Sequence, residues 1–455
     1  MPFPKIQFNA STGSDTAASG AGPATALTGT GASTTSGGTT VSLLADNPDL
    51  SGVATDGSAC LWVSTSTGRQ FGRITAVNNT TKVVTVDAYG VTATGQNWAI
   101  GGKRATLDAA SSRTLFSTTG WRPGWECLLE DNQTITSTLS LNGPNLGAYV
   151  VLRSSVAGTR RTITCSANTT ALDWVLSGFA EIHLTDLAIE NTAGTKTSAN
   201  GISSSGSGSS RFLTLTRCAL GHSTNQLNIG MTTGNCRLID SLIRNCIGYA
   251  ADVTAPFCAY GSVIHTNGNA LRVNSGGLNL VRTLIYGNTN ENILVNPTAP
   301  SNLVVDCTFD SASTDVFSTA LGSGGNTIQV INCNFTKGGG FGVRARQLNE
   351  LPEVIAANCN YGSGSDANTS GAFTPAGSVL ERNCIAVTPT YVNRATANYG
   401  PGSAIIGQGF PESPATLGDG TAVATSSIDI GAFQSAGGGG GGLILPRSMN
   451  GGYSA

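Results

Sequence analysis

Residues 182–189 read Ile-His-Leu-Thr-Asp-Leu-Ala-Ile, and this spacing of apolar residues returns at eight later places in the chain. The aligned central position is occupied in turn by Leu187, Cys218, Ser241, Ser262, Thr283, Cys307, Cys333, Cys359 and Cys384. Successive copies are 31, 23, 21, 21, 24, 26, 26 and 25 residues apart. A repeat of roughly 20–50 residues indicates an architecture of stacked units.

Each copy alternates between apolar and polar residues, which predicts a strand with one buried face. Two consecutive residues interrupt the alternation before the central position, as at 216–217 before Cys218, and they predict a bend or bulge. A second strand follows in several copies, as at 270–274, after turns rich in Asn and Gly, which tolerate left-handed backbone angles. The unit is therefore a coil of a parallel β-helix, in which equivalent side chains stack in rows.

The motif Leu-x-Leu-x-x-Cys-x-Phe, with Asn before Cys at 332–333, 358–359 and 383–384, resembles the right-handed parallel β-helix proteins of the pectate-lyase-like class. The resemblance covers about Leu107 to Tyr399 and implies an all-β, right-handed solenoid. It implies little about activity, because lyases, hydrolases, tailspikes and adhesins all use that fold.

Composition excludes several classes of function. Only 11% of the 455 residues are charged, yet 39% are hydrophobic and patterned, which is not the composition of a disordered chain. The net charge of −2 and the lack of a basic run argue against a nucleic acid partner. No stretch approaches the roughly 20 apolar residues of a membrane span. The first residues, Met-Pro-Phe-Pro-Lys-Ile-Gln-Phe, lack the apolar segment of a secretory signal peptide.

The eleven cysteines cannot all pair with one another, because their number is odd. Five of them share the central position of the repeat with Leu, Ser and Thr, which marks them as small core residues. Metal binding is the alternative, but no Cys-x-x-Cys pair and no nearby His supports it, so no metal or cofactor is predicted. Many buried free thiols favour folding in a reducing compartment.

Two regions precede the repeats. Residues 1–40 are mostly Ser, Thr, Gly and Ala after position 9, which predicts an arm that is a linker or is held by neighbouring chains in an assembly. Residues 41–106 contain several short alternating runs, and Asn-Asn-Thr-Thr at 78–81 predicts a hairpin between two of them. We predict a small β domain there, which would serve attachment, cap the first coil, or do both.

The β-helix itself is predicted over residues 107–400. Residues 401–436 would supply closing strands, and their motif Ile-Asp-Ile-Gly-Ala-Phe-Gln at 428–434 resembles the ending of many bacterial and phage β-helix surface proteins. Residues 437–455 begin with six glycines and continue as a short apolar peptide. That segment is either a tether that docks on a partner or a frayed terminus.

Catalysis on sugars needs a pair of carboxylates on an outer face, roughly 5–10 Å apart. Asp240 and Asp306 are three coils apart, which is about 14 Å at ~4.8 Å per coil and too far for a pair. Asp306 and Asp310 share one coil and are the best local candidates, although Asp in turns is common for conformational reasons. A calcium-dependent lyase would need clustered Asp beside a base, and no such cluster accompanies Arg272 or Arg282.

Glycan binding requires no catalytic group. No histidine has a Ser or Cys at the spacing of a nucleophile and its base, and His183 and His265 are predicted to point outward. Exposed rows of Thr, Asn and Tyr on a flat β-helix face would bind glycans through hydrogen bonds and stacking.

Three functions remain open, ranked in this order and leaning against an enzyme. The first is a virion structural protein of a bacteriophage, such as a head fibre, tailspike or capsid decoration protein. It would assemble in the host cytoplasm as a homo-oligomer, with a trimer favoured, and contact other virion proteins and host glycans for attachment. The second is a polysaccharide lyase or hydrolase. The third is an adhesin or filament subunit at the bacterial cell surface.

Overall fold

The chain forms two compact units in the computed structural model, Met1–Thr214 and Leu215–Ala455. Nearly all of its regular structure is β. The structure describes residues 3–34, 37–64, 71–87, 92–116, 124–142, 149–175, 181–205, 213–222, 224–232, 236–254, 256–274, 277–290, 292–295, 302–311, 317–319, 328–337, 343–344, 354–360, 379–385, 391–393, 398–401, 434–435 and 443–444.

Each regular coil has three short strands, which we assign to sheets 1, 2 and 3 in the order in which the chain visits them. In one coil these strands are Ile182–Thr185, Leu187–Asn191 and Ile202–Ser205. Strands of successive coils pair in parallel, so each sheet grows by one strand per coil. Alternate residues, such as Ile182 and Leu184, point inward and are buried. The predicted right-handed parallel β-helix is confirmed.

The unit Met1–Thr214 contributes three or four described strands to each sheet. Sheet 1 has Lys5–Phe8, Glu126–Leu129, Val150–Ser154 and Ile182–Thr185; sheet 2 has Gln133–Ile135, Arg161–Cys165 and Leu187–Asn191; sheet 3 has Leu139–Asn142, Leu172–Val175 and Ile202–Ser205. A helical turn, Ala110–Arg113, and a 3-10 turn, Thr114–Phe116, precede the first full coil.

The unit Leu215–Ala455 has the same three-sheet pattern, and the strand Leu213–Thr216 contains the division between the units. Sheet 1 has Cys236–Ile239, Phe257–Tyr260, Leu278–Val281, Asn302–Val305, Ile328–Ile331, Val354–Ala357 and Val379–Arg382; sheet 2 has Ala219–Leu220, Leu242–Arg244, Val263–His265, Leu284–Asn288, Thr308–Ser311 and Asn334–Lys337; sheet 3 has Met231–Thr232, Tyr249–Val253, Asn269–Val273, Ile293–Val295, Phe317–Thr319 and Val343–Arg344. Two antiparallel pairs follow, Tyr391–Asn393 with Asn398–Pro401 and Gln434–Ser435 with Leu443–Ile444.

A left-handed residue turns the chain from sheet 1 into sheet 2 in nine successive copies of the repeat. This corner row has positive φ throughout and comprises Asp186, Arg217, Asp240, Gly261, Arg282, Asp306, Asn332, Asn358 and Asn383. Asp, Asn and Gly dominate because they adopt this conformation at the lowest cost. The bend that the broken alternation predicted is therefore confirmed.

The residue after each corner points inward, and where it carries a donor it bonds main-chain carbonyls. The Cys333 Sγ donates to Ile331 O of its own coil and to Val304 O of the preceding coil. The Ser241 Oγ does the same with Ile239 O and Leu215 O. The cysteines of this row from Cys218 to Cys359 are buried, as predicted for small core residues, and their thiols also donate to main-chain carbonyls near the corner.

Substitution of Asn358 tests the corner row. Asn358 has a φ of 51° and is largely buried. We expect Asn358→Val to destabilise its coil by about 1–2 kcal/mol, because a β-branched residue resists left-handed angles. Asn358→Gly, the matched control, should be close to neutral. Urea unfolding of both variants measures the difference, and equal midpoints would contradict a conformational role for this row.

A closed six-stranded antiparallel barrel lies within the first unit. Its strands are Leu27–Thr34, Thr40–Ser42, Cys60–Val63, Phe71–Asn78, Val83–Val86 and Ala93–Ile100. Its core includes Val41, Leu61, Ile74 and Trp98. The hairpin predicted at 78–81 joins two of these strands. The barrel begins well before the predicted boundary at residue 41, because Leu27–Thr34 is one of its strands.

The chain before the barrel corrects the prediction of an arm over residues 1–40. Lys5–Phe8 pairs in parallel with Glu126–Leu129 as a strand of sheet 1, and Ile6 and Phe8 are buried. The alternation of Lys-Ile-Gln-Phe permits this pairing, because it places two apolar side chains on one face. This strand covers an edge of Glu126–Leu129 that would otherwise expose unpaired main-chain groups.

The predicted closing strands at 401–436 and the tether at 437–455 lie outside the described residues, except for 401, 434–435 and 443–444. The 428–434 motif is therefore described only at Gln434, in the pair Gln434–Ser435 with Leu443–Ile444. In the parts of the chain that the structure describes, no helix is long and apolar enough to cross a membrane.

Candidate functional site

Asp306 belongs to the corner row and is fully buried. Its Oδ1 accepts a hydrogen bond from Asn332 Nδ2 at 3.2 Å, and its Oδ2 lies 3.8 Å from Arg282 Nε. Three successive corner residues thus form one chain of polar contacts. This arrangement stabilises a buried carboxylate by pairing it, which is a structural role.

Asp310 lies in the sheet 2 strand Thr308–Ser311 and is nearly buried. Its neighbours in register are Tyr286 and Thr336 on the flanking coils. It lies four positions after Asp306, which is up to about 13 Å in extended conformation. Catalysis by this pair stays a prediction from the sequence, and the placement of the two carboxylates gives it no support.

A cluster of polar and aromatic side chains lies on the outer face of sheet 1 in the first unit. We call it the Tyr149 patch and define it by Glu126, Tyr149, Arg153, Glu181 and His183. The neighbouring residues Val150, Leu152, Ile182 and Leu184 are buried, so strand alternation turns the patch residues outward. The outward orientation predicted for His183 is confirmed, since its side chain is 31% exposed.

The patch is held by contacts between neighbouring coils. Arg153 Nη2 and Nε donate to Glu126 Oε2 at 2.9 and 3.3 Å. His183 Nε2 lies 3.2 Å from Glu181 Oε2. The rings of Tyr149 and His183 have centroids 5.1 Å apart, inclined at 38°. These contacts order four polar side chains on the outer face that carries the Tyr149 ring.

The Tyr149 ring is the accessible centre of this patch. Tyr149 is 54% exposed, whereas the side chains of Glu126, Arg153, Glu181 and His183 are each about one third exposed. An exposed ring can stack on a sugar face, while ordered carboxylate, guanidinium and imidazole groups on the same outer face can bond the hydroxyls of a glycan. The polar groups are already ordered, so binding would immobilise little further.

Each of the two carboxylates of the patch is engaged by a neighbouring basic side chain. Glu126 accepts from Arg153, and Glu181 lies beside His183. The strand register offsets Glu126 and Glu181 by two residues across three adjacent strands, which places their Cα atoms about 12 Å apart. The geometry favours binding over chemistry.

Sequence reasoning singled out His183 but not the other four residues of the patch. They come from the irregular first coils, where the spacing of 126, 151 and 183 hides their alignment. The described residues contain no group of three or more His, Cys, Asp or Glu side chains arranged to hold a metal ion.

Comparisons with known proteins give likenesses of fold. No family model matches the chain, and no curated protein sequence matches it. Pectate lyase Pel9A is similar at 12% identity and a TM-score of 0.39, covering 69% of this chain and 88% of its own. The A-module of the mannuronan C-5 epimerase AlgE4 of Azotobacter vinelandii is similar at 12% identity and a TM-score of 0.25, covering 62% and 92%.

A third solved structure is similar to a comparable degree. The catalytic domain of a GH87 α-1,3-glucanase in complex with nigerose has 11% identity and a TM-score of 0.32, covering 83% of this chain and 88% of its own. At such identities these structures bear on the fold alone, and the β-helix assignment rests on the strand pairing of this chain.

Proposed function

We propose that this protein is a glycan-binding β-helix protein that recognises its ligand through the Tyr149 patch, without cleaving it. The observation that carries the proposal is the exposed Tyr149 ring, which lies beside His183 and shares its outer face with the Arg153–Glu126 and His183–Glu181 pairs. A pyranose ring can lie on the phenol face while its hydroxyls meet side chains that the coil stacking already holds in place.

The setting that we propose for this binding is a phage virion, where the protein would serve host attachment as a fibre, tailspike or decoration protein. The eleven cysteines are all free thiols and ten are buried, which suits folding in the reducing cytoplasm of a host. A bacterial surface adhesin is the alternative setting for the same binding, and a polysaccharide-cleaving enzyme is the alternative activity.

Substitution of Tyr149 tests the binding function. We expect Tyr149→Ala to weaken binding to the best ligand of a glycan array by roughly tenfold, since an aromatic contact contributes about 0.5–1.5 kcal/mol beyond the area it buries. Tyr149→Phe should stay within about threefold of the parent. Tyr260→Ala removes another exposed tyrosine, in the other unit, and is the matched control.

The same preparation distinguishes binding from cleavage. Each bound polysaccharide is incubated with the protein and assayed for new reducing ends and unsaturated uronates. Binding without products supports the proposal, whereas products would restore the enzyme alternative. The binding proposal would be overturned if no polysaccharide bound, or if Tyr149→Ala bound as well as the parent.

The virion setting predicts a homo-oligomer. We expect light scattering to give three times the chain mass of 46.1 kDa, in keeping with the favoured trimer. Deletion of residues 437–455 tests whether the terminal segment contributes to the assembly. A monomeric mass for the full chain would contradict the trimer.

A further inference from the structure

A second row of polar and aromatic side chains lies on the outer face of sheet 2, in the unit Leu215–Ala455. Arg244, His265, Tyr286 and Asp310 occupy equivalent positions on four consecutive coils, as the strand registers show. The residues beside them in sequence, Ile243, Ile264, Ile285 and Phe309, are buried in the coil interior. We call these four outward residues the sheet 2 row. It shares no residue with the Tyr149 patch.

Arg244 is the cation of this row. Among the described residues no carboxylate forms an ion pair with it, and its buried Nε has no hydrogen-bond partner. The register places Gly221 beside it on the preceding coil, and a glycine contributes no side chain to cover it. Arg244 is partly exposed, so its guanidinium group can pair with an anion from outside the chain.

The next two residues of the row form an aromatic stack beside Arg244. The rings of His265 and Tyr286 are stacked with centroids 4.7 Å apart and planes within 3° of parallel. The Nδ1 of His265 lies 2.8 Å from Thr266 Oγ1, which leaves Nε2 at the free edge of the ring. Burial and the Arg244 charge lower the pKa of His265 to about 4, so this imidazole is neutral at pH 7.

Opposite charges lie at the two ends of the row. Asp310 lies three coils from Arg244, about 14 Å at the spacing of coils, which exceeds the screening length of physiological salt. Arg244 is followed by two uncharged hydrogen-bonding side chains before the nearly buried Asp310. This order suits a polymer that carries an acidic group among hydroxyls. A nucleic acid, with a phosphate on every residue, would instead require several cations in line.

We propose that the sheet 2 row binds an anionic glycan, with Arg244 holding a carboxylate or sulfate group and the His265–Tyr286 stack contacting the adjoining sugar. Guanidinium groups suit both oxyanions, because their planar fork donates two parallel hydrogen bonds. The site is independent of the Tyr149 patch, so the chain carries two glycan-binding surfaces of different charge preference.

The test measures binding of the full-length protein to three probes by calorimetry: an oligogalacturonate, a heparin-derived oligosaccharide and a neutral gluco-oligosaccharide. We expect Arg244→Gln to weaken binding of an acidic probe at least roughly tenfold, because a charge-assisted fork is lost. Arg237→Gln, on the outer face of sheet 1 in the same coil, is the matched control and should match the parent. The two acidic probes distinguish a carboxylate ligand from a sulfate ligand.

A second measurement does not depend on the folding of a variant. For the parent protein, affinity for the acidic probe should fall as salt rises from 50 to 500 mM, since the bond is between charges. Arg244→Lys keeps the charge but loses the fork, and it should give intermediate affinity.

The proposal is overturned if Arg244→Gln binds the acidic probes like the parent, if Arg237→Gln loses as much, or if salt has no effect. Tighter binding of a single-stranded oligonucleotide with the same dependence on Arg244 would reassign the site to nucleic acid. These measurements depend on Arg244 and on acidic probes. A negative result here can therefore be distinguished from a negative result of the Tyr149 experiment.

Discussion

Replacement of Arg104 by methionine is expected to lower the free energy of unfolding of the first unit by about 3–5 kcal/mol, the range measured when one partner of a buried ion pair is removed. Arg104 is fully buried. Its Nη1 donates to Ala18 O at 2.8 Å and its Nη2 to Ser112 Oγ at 3.0 Å, while Asp15 Oδ1 lies 3.5 Å away.

The aromatic surroundings of Arg104 add to this effect. Its guanidinium carbon lies 5.5 Å from the ring centre of Trp62 and 5.4 Å from that of Phe71, both in barrel strands. Burial lowers the pKa of Arg104 to about 10, and Asp15 opposes that shift, so the group stays charged at pH 7. Methionine keeps the apolar stem but removes the charge and every donor.

Tryptophan fluorescence during urea unfolding measures this effect, because all five tryptophans of the chain precede residue 215. Lys103→Met is the control, since the Lys103–Glu130 pair is partly exposed and such pairs contribute at most about 1 kcal/mol. Equal shifts for the two variants would show that Arg104 does not hold the barrel and the first coils together.

Truncation of Phe309 is the second large effect. The rings of Phe309 and Phe335 stack inside successive coils, with centroids 5.1 Å apart and planes at 16°. Both side chains are buried. We expect Phe309→Ala to destabilise these coils by about 3–5 kcal/mol, through lost apolar burial and the cavity left behind. Phe309→Leu, which fills more of the space, should cost less than about 2 kcal/mol.

Stacked coils need not unfold in one step, so the measurement must be local. Hydrogen exchange of peptides covering 302–337 should accelerate in Phe309→Ala, while peptides covering 126–175 keep their protection. A double-mutant cycle with Phe335→Ala should give a coupling of about 0.5–1.5 kcal/mol. Exchange that rises equally in both regions would contradict a local ring stack.

The fold could be predicted from the sequence wherever the signal was local and repeated. The broken alternation before each central residue predicted the corner. A left-handed residue such as Asn332 shifts by one position the set of residues that point into the coil. The cysteines at the central position could be predicted as core residues, because Leu, Ser and Thr occupy the same position in other copies of the repeat. Their second role, donation to carbonyls such as Val304 O, required the spacing of neighbouring coils.

Other features depended on distant pairing. The strand Lys5–Phe8 pairs with residues 121 positions later, and nothing local predicts that register. The strand Leu27–Thr34 looked like a linker because its residues are small. The structure shows why they are small: a Cβ on Gly29 would lie 2.4 Å from the Asp46 carboxylate. The Tyr149 patch was missed for a related reason, since three irregular coils must stack before its side chains meet.

The chain leaves the first strand of sheet 1 and returns to it at one place. Asn9 N donates to Arg104 O, and Arg104 N donates to Gln7 O, both at 2.8 Å. Residues 10–103 are thus an insertion whose two ends touch, the arrangement that tolerates exchange of a whole domain. The barrel is in this sense a domain inserted at one position of the β-helix chain. A different domain with closely spaced termini could occupy the same position only if it also supplied partners for Arg104, since Ala18, Asp15 and Trp62 all belong to the insertion.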